Sequence, residues 1–299
     1  MKKILILLLI LALAIPFACA EATTDRAGNE ITLPENPMKV VCMNSAVSQM
    51  LDDLGLLDRV VACDTYSPAY VPAMATLPQF DMMAPDAEQI AALEPDLVIV
   101  TSMSFVEGDN PYQPLIDMGV CVAVVPSSGS IEAVEQDILF VASVFGMDAE
   151  GQAMVDAMQA KIDEIAAIGA TITEKKSVFF EIGALPYLYS FGTGTFLDEM
   201  ISLIGATNVM GDQESWISIT EEAAIAANPD VILTSVNYID NPTAEILARP
   251  GWESVTAVMN GEVYYIDNAA ASLANRHIVD ALVEMAKAVY PEAYAGITE

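Results

Sequence analysis

The chain has 299 residues, 54% of them hydrophobic, and a formal charge of −31. That length accommodates two domains of ordinary size, and that hydrophobic share supports a packed core rather than disorder. So much negative charge repels a phosphate backbone, so nucleic acid is excluded as the expected partner.

Residues 1–20 read as a signal peptide. Lys2 and Lys3 form a basic head, and the apolar run Ile4–Ile15 is too short to span a bilayer comfortably. Ala18-Cys19-Ala20 fits a small-x-small cleavage site with Glu21 as the new N-terminus. One alternative is acylation of Cys19, although Pro16 stands where that motif usually takes Leu; another is an uncleaved anchor. Each places the body of the chain outside the cytoplasmic membrane, in a periplasm or at a cell surface. Cys42, Cys63 and Cys121 then remain, each inside an apolar run. An odd count without regular spacing reads as buried free thiols, with a Cys42–Cys63 bridge as the alternative.

Strand-like and helical patterns alternate from there. Apolar runs at 39–44, 59–64, 96–102 and 120–128 are separated by helical spacing, as in Val47, Met50, Leu51 and Leu54 before Gly55. Continuous rather than alternating apolar runs suit parallel strands covered on both faces, which predicts an N-terminal α/β lobe over 21–147. Residues 148–170 carry helical spacing with few Gly or Ser and predict one stiff connecting helix about 30 Å long. The α/β grammar then restarts over 171–299, with runs at 177–183, 185–192, 230–235 and 262–267 and a closing amphipathic helix stopped at Pro291. The expected fold class is α/β: two doubly wound α/β lobes joined by a single long rigid α-helix.

One short unit occurs twice. "EQIAALEPDLVI" starts at Glu88 and "EAAIAANPDVIL" starts at Glu222, each a Glu-headed helix, a Pro-Asp turn and a strand. A glutamate at a helix N-terminus is favoured by the macrodipole alone. Its duplication, one copy per lobe, suggests two matched exposed carboxylates that dock on something symmetric.

Catalytic signatures are missing. A single histidine, His277, rules out a multi-histidine metal site, and there is no Walker or Gly-x-Ser-x-Gly sequence. "GTGTF" at 192–196 reads as a tight strand-to-helix turn in preference to an anion cradle.

Ligands of doubly wound sheets sit beyond the C-terminal strand ends. The segments there supply Asn44, Ser45, Tyr66, Met103, Phe105, Ser127, Tyr187 and Tyr238; the loop at 78–83 adds Phe80 and Met82, and Trp216, just before the second Glu-headed helix, is expected to join them. Aromatics, methionines and small polar groups suit a large, flat, partly apolar ligand with a polar rim. Among the basic residues only Arg276 is placed to reach such a cleft, so the expected ligand is neutral or weakly charged.

Several segments together resemble the substrate-binding proteins of ABC importers, in the group serving iron–siderophores, haem and cobalamin. They are "DRAGNEITLPENPMKVVCMN", "EQIAALEPDLVIV", "GTGTFLDEMISLIGATNVM", "ISITEEAAIAANPDVILTS" and "RPGWESVTAVMNGEVYYID", and the resemblance covers nearly the whole mature chain. It implies a monomer of two lobes bridged by one helix, with the ligand between them and no intrinsic cofactor. It also implies a glutamate on each lobe engaging an ABC permease dimer; those roles fall on Glu88 and Glu222, with adjacent Glu221 as an alternative. The transported ligand is expected to be an iron–siderophore first, then a corrinoid, then haem, for which Tyr66, Tyr238 and His277 are candidate axial ligands. The rivals are a receptor or adhesin working without a transporter, and a metal-cluster enzyme on a related fold. The cysteine set argues against the second.

Overall fold

The structure is a computed structural model that describes residues 22–105 and 108–298. The expected signal peptide and Cys19 lie outside the described residues. Among the described residues thirteen strands are formed: β1 (Ala22–Thr24), β2 (Glu30–Thr32), β3 (Val40–Met43), β4 (Val60–Asp64), β5 (Gln79–Phe80), β6 (Leu97–Thr101), β7 (Cys121–Val125), β8 (Ser177–Glu181), β9 (Tyr189–Phe191), β10 (Thr207–Asn208), β11 (Trp216–Ser218), β12 (Val231–Thr234) and β13 (Val263–Tyr265). They build two parallel sheets, ordered β5-β4-β3-β6-β7 and β10-β8-β12-β13, plus the antiparallel pairs β1-β2 and β11-β9.

The apolar runs form buried strands because both faces are covered. Val40 and Cys42 of β3 point into one cluster, while Val41 and Met43 point into another on the opposite face. In the second sheet, Val178 and Phe180 of β8 share the first cluster with β3, and Phe179 faces a third cluster around Trp252. One continuous core therefore runs through both lobes, and each lobe has its own outer cluster.

A helix at Asp148–Gly169 joins the lobes, 22 residues long and so about 33 Å. It buries Gly151, Val155, Met158, Ile162, Ile165 and Gly169, spaced three and four apart along one stripe. That stripe meets the helix Ile131–Val144 of the first lobe and the helices Phe196–Leu203 and Ile278–Val289 of the second. Its two glycines mark the closest approaches. A Cβ on Gly151 would lie 2.5 Å from Ala142 Cβ, and one on Gly169 only 2.0 Å from the Leu203 carbonyl oxygen.

The Pro-Asp of the repeated unit closes each sheet at its entry. Asp96 Oδ2 accepts the backbone N–H groups of Met38 and Lys39 at 2.8 and 2.9 Å, just before β3. Asp230 Oδ2 accepts the N–H and hydroxyl of Ser177 at 2.8 and 2.7 Å, at the start of β8. Part of the repetition is therefore a shared strand-entry clamp.

Two details differ from the sequence expectation. The run at 185–192 forms a strand only over Tyr189–Phe191, because residues 183–188 turn and β9 then pairs antiparallel with β11. "DRAGNEIT" holds a turn: Asp25 accepts N–H groups from Ala27, Asn29 and Val124, stapling β1-β2 to the edge of β7.

The three described cysteines are free. Burial pushes the Cys42 thiol up to about 12 and those of Cys63 and Cys121 up to about 11. Cys42 and Cys63 are neighbours on β3 and β4 without a bond between them.

Candidate functional site

The C-terminal ends of the two sheets face each other, because segments that follow the strands meet across the lobes. Tyr70, in the helix after β4, donates to Asn268 after β13 at 3.4 Å. Gly129, after β7, comes so close to Gly194, after β9, that a Cβ there would lie 2.8 Å from the Gly194 carbonyl oxygen. Beside that approach, Ile131 N–H donates to Glu199 at 2.9 Å. Between these contacts lie the ends of β3 and β6 in one sheet and of β8 and β12 in the other, the place where a doubly wound fold is expected to take its ligand.

Exposed aromatics gather at this level of the fold. Tyr187 is 77% and Tyr238 68% exposed, and Tyr66, Trp216 and Met103 are also exposed. Tyr238 is a held platform: its hydroxyl oxygen accepts the Ala184 N–H at 2.8 Å, which leaves the ring face open. Trp216 stands edge-on to Phe191 and Phe196, with centroids 5.9 and 6.2 Å away, so packing fixes it on one side only. Ser127 is exposed, with its N–H donating to the Ser102 hydroxyl.

Other candidates are committed to the fold. Asn44 is buried: its Oδ1 caps the helix Ser45–Asp53 through Ala46 N–H and Val47 N–H, and its Nδ2 donates to Val125 O at 3.1 Å. Ser45 donates to Asp64 at 3.0 Å. Phe80, Met82 and Phe105 pack against the outer cluster of the first lobe, and Phe105 also lines a surface hollow beside β7 with Ile31 and Ile116.

Arg276 does not stand free. Its Nη2 donates to Asp53 Oδ1 at 2.7 Å, at the far end of the helix that Asn44 caps. His277 adds a second tie across the lobes, with Nε2 3.2 Å from Asp53 and Nδ1 3.1 Å from Asp280. Facing two carboxylates, hydrogen-bonding to Asp280 first and Asp53 second, the imidazole is raised to about 9 against the opposing effect of its burial. Burial raises Asp53, but His277 and Arg276 more than offset it and hold that carboxyl below its ordinary range.

Two buried carboxylates underlie the strand ends, and composition alone did not single them out. Asp64, the last residue of β4, accepts the N–H groups of Tyr66 and Ser67 and the hydroxyls of Ser45 and Ser67. Glu181, the last residue of β8, is gripped by both terminal nitrogens of Arg249 at 2.8 and 3.2 Å. Burial pushes the Glu181 carboxyl up, and Arg249 works against that push. Exposed Tyr189 and Tyr265 also belong to this level and were missed. In "EVYYID" the signal was there: strand alternation half-buries Tyr264 and leaves Tyr265 out.

On the repeated helices, Glu88 and Glu222 are exposed, each the second residue of its helix. Among the described residues no hydrogen bond or ion pair engages either side chain. Glu221 differs, because its Oε1 accepts the Trp252 indole N–H at 2.8 Å.

A family model described as periplasmic binding protein matches residues 40–270. An ABC transporter substrate-binding lipoprotein of Bacillus subtilis, YvrC, is 29% identical over 276 residues, covering 91% of this chain and 86% of its own. A cobalamin-binding protein of Halobacterium salinarum is 25% identical, covering 91% of this chain and 75% of its own. The solved molybdate-binding protein MolA of Haemophilus influenzae superposes with a TM-score of 0.81 at 19% identity, covering 93% of each chain.

Proposed function

The chain belongs to the periplasmic binding protein family, and from that premise we propose that it captures a large metal chelate between its lobes and delivers it to an ABC permease in the membrane. The cargo is a corrinoid or a ferric siderophore. The observation that carries this is the set of exposed rings at the strand ends of both lobes: Tyr66 on one side, Tyr187, Trp216 and Tyr238 on the other. A flat chelate stacks on such rings, whereas an ordinary soluble surface would bury or dilute them. The relative named for cobalamin supports the corrinoid arm.

Delivery rests on Glu88 and Glu222. Both carboxylates are exposed, both sit at a helix start, and one belongs to each lobe. A matched pair of anions suits a permease dimer presenting basic residues twice. The mature chain works outside the cytoplasmic membrane, released by cleavage after Ala20 or anchored through Cys19. Among the described residues no helix is long and apolar enough to cross a membrane.

The test is the protein purified from its own host under native conditions. Native mass spectrometry and an absorption spectrum are expected to show one corrin or ferric chelate per chain. A chain that carries none, and that takes up neither kind when offered, would remove the reading.

A further inference from the structure

We propose that the cleft admits cargo of zero or positive net charge and excludes polyanionic chelates and oxyanions. This deepens the transport reading above and rests on it.

The cations decide it. Among the described residues there are nine Lys and Arg side chains and one imidazole, His277, which is paired with Asp53 and Asp280; none stands unpaired at the strand ends. Lys39, Arg59, Lys175 and Lys176 precede strands, at the opposite ends of the sheets. Lys161 lies on the connecting helix and pairs with Glu164. Lys287 is in the last turn of the closing helix, whose next residues, Val289 and Tyr290, line a hollow with Lys176. Arg276 is held by Asp53. Arg249 and Arg26 reach the underside of strand ends, and both are neutralised there: Arg249 is shared between Glu181 and Glu245, and Arg26 is held by Asp137, which the Ser128 hydroxyl after β7 also engages.

Carboxylates, by contrast, stand at or just after the C-terminal strand ends of both lobes. Asp64 is fully buried, and its partners are hydroxyls and backbone N–H groups. Asp81 follows β5 and holds the Met83 N–H. Asp267 caps the helix after β13. Tyr70, at the seam, is pushed up first by burial and then by the charges of Asp64 and Asp267, one from each lobe. A carboxylate, catecholate or oxyanion entering here loses hydration and meets neutral hydroxyls, ring faces and like charge. A neutral trihydroxamate complex or a corrinoid incurs no such cost, and a cationic complex is drawn in.

The experiment titrates the full mature chain at physiological salt by tryptophan quenching and calorimetry. The probes are cyanocobalamin, a neutral ferric trihydroxamate, a triply anionic ferric tris-catecholate, and molybdate. The expected result is tight binding of at least one neutral probe, with both anions at least a hundredfold weaker. In the variant Ser127→Arg, affinity for the catecholate chelate rises at least tenfold, because an unpaired cation now stands where there was none. Either anion binding within tenfold of the best neutral probe overturns the proposal, as does Ser127→Arg leaving the catecholate affinity unchanged in a folded protein. If none of the four probes binds, the transport reading fails and takes this proposal with it, an outcome distinct from a reversed preference.

Discussion

Trp252 donates its indole N–H to Glu221 at 2.8 Å, and Glu222 beside it has no such partner. Neighbouring residues on a helix point about 100° apart, so one carboxylate turns to the lobe and the other to solvent. The proposed docking role therefore falls on Glu222, while Glu221 serves the packing of its lobe. Glu222→Arg, alone or with Glu88→Arg, is expected to leave cargo affinity within error and to cost no more than about 1 kcal/mol of stability per site, from the lost helix-dipole interaction. The same changes abolish stimulation of the permease ATPase. Glu221→Ala is expected to cost about 1–2 kcal/mol of stability by stranding the indole donor, as read by denaturant unfolding. Uptake that survives the double reversal would favour a receptor or adhesin working without a transporter.

The strand-entry clamp at Asp230 predicts an acid sensitivity. The Ser177 backbone N–H, and then its hydroxyl, hold the Asp230 carboxyl below its ordinary range. A depressed carboxylate contributes stability that is full above its unfolded pKa, about 3.9, and is lost as pH falls through the lower folded value. Asp230→Ala is expected to cost about 1 kcal/mol at neutral pH and to flatten the acid limb of the stability curve below pH 4. Asp96→Ala removes the matching clamp of the first lobe and is expected to cost less at neutral pH, because that carboxylate is exposed. An unchanged acid limb in Asp230→Ala would contradict the clamp.

At the lobe seam the sign reverses. His277 is raised to about 9 by Asp280 and Asp53, above an unfolded value near 6.5. Its contribution is therefore complete below pH 6.5 and disappears as pH rises through 9. Partial exposure screens the pair, so the effect is on the order of 1 kcal/mol. His277→Gln is expected to remove that slope between pH 6.5 and 9 while leaving the acid limb intact. Equal slopes in both proteins would show that the imidazolium is not coupled to folding.

The connecting helix is set by its glycines. Gly169→Ala places a methyl 2.0 Å from a backbone oxygen, so the helix must shift against its neighbour or lose register there. Overpacking of this kind costs about 1–3 kcal/mol. Thermal unfolding should fall by several degrees, and cargo affinity should change with it because the two lobe faces are re-spaced. A Gly169→Ala protein as stable as the parent would contradict this packing.

Much of this was legible in the sequence, for definable reasons. Both-face burial writes itself as continuous apolar runs, so the strands at Val40, Leu97, Cys121, Ser177 and Val231 were readable. Helical spacing with sparse breakers gave the connecting helix, formed over Asp148–Gly169. Long-range pairing was not readable. Arg276 appears free in a linear chain because Asp53, its partner, lies 223 residues away. Phe80 and Phe105 carry the same letter whether they face a cleft or a core, and no local period separates the two. Asn44 occupies a strand-end position that serves a ligand or a helix cap equally well; its hydrogen bonds show the cap.

Hydrogen exchange on the mature chain, with and without its tightest-binding chelate, tests capture between the lobes most directly. Protection is expected together at residues 65–70 and 101–105 of the first lobe and at 183–190 and 235–238 of the second, with the helices headed by Glu88 and Glu222 unaffected. Protection confined to one lobe, or found only on the outer faces, would contradict it.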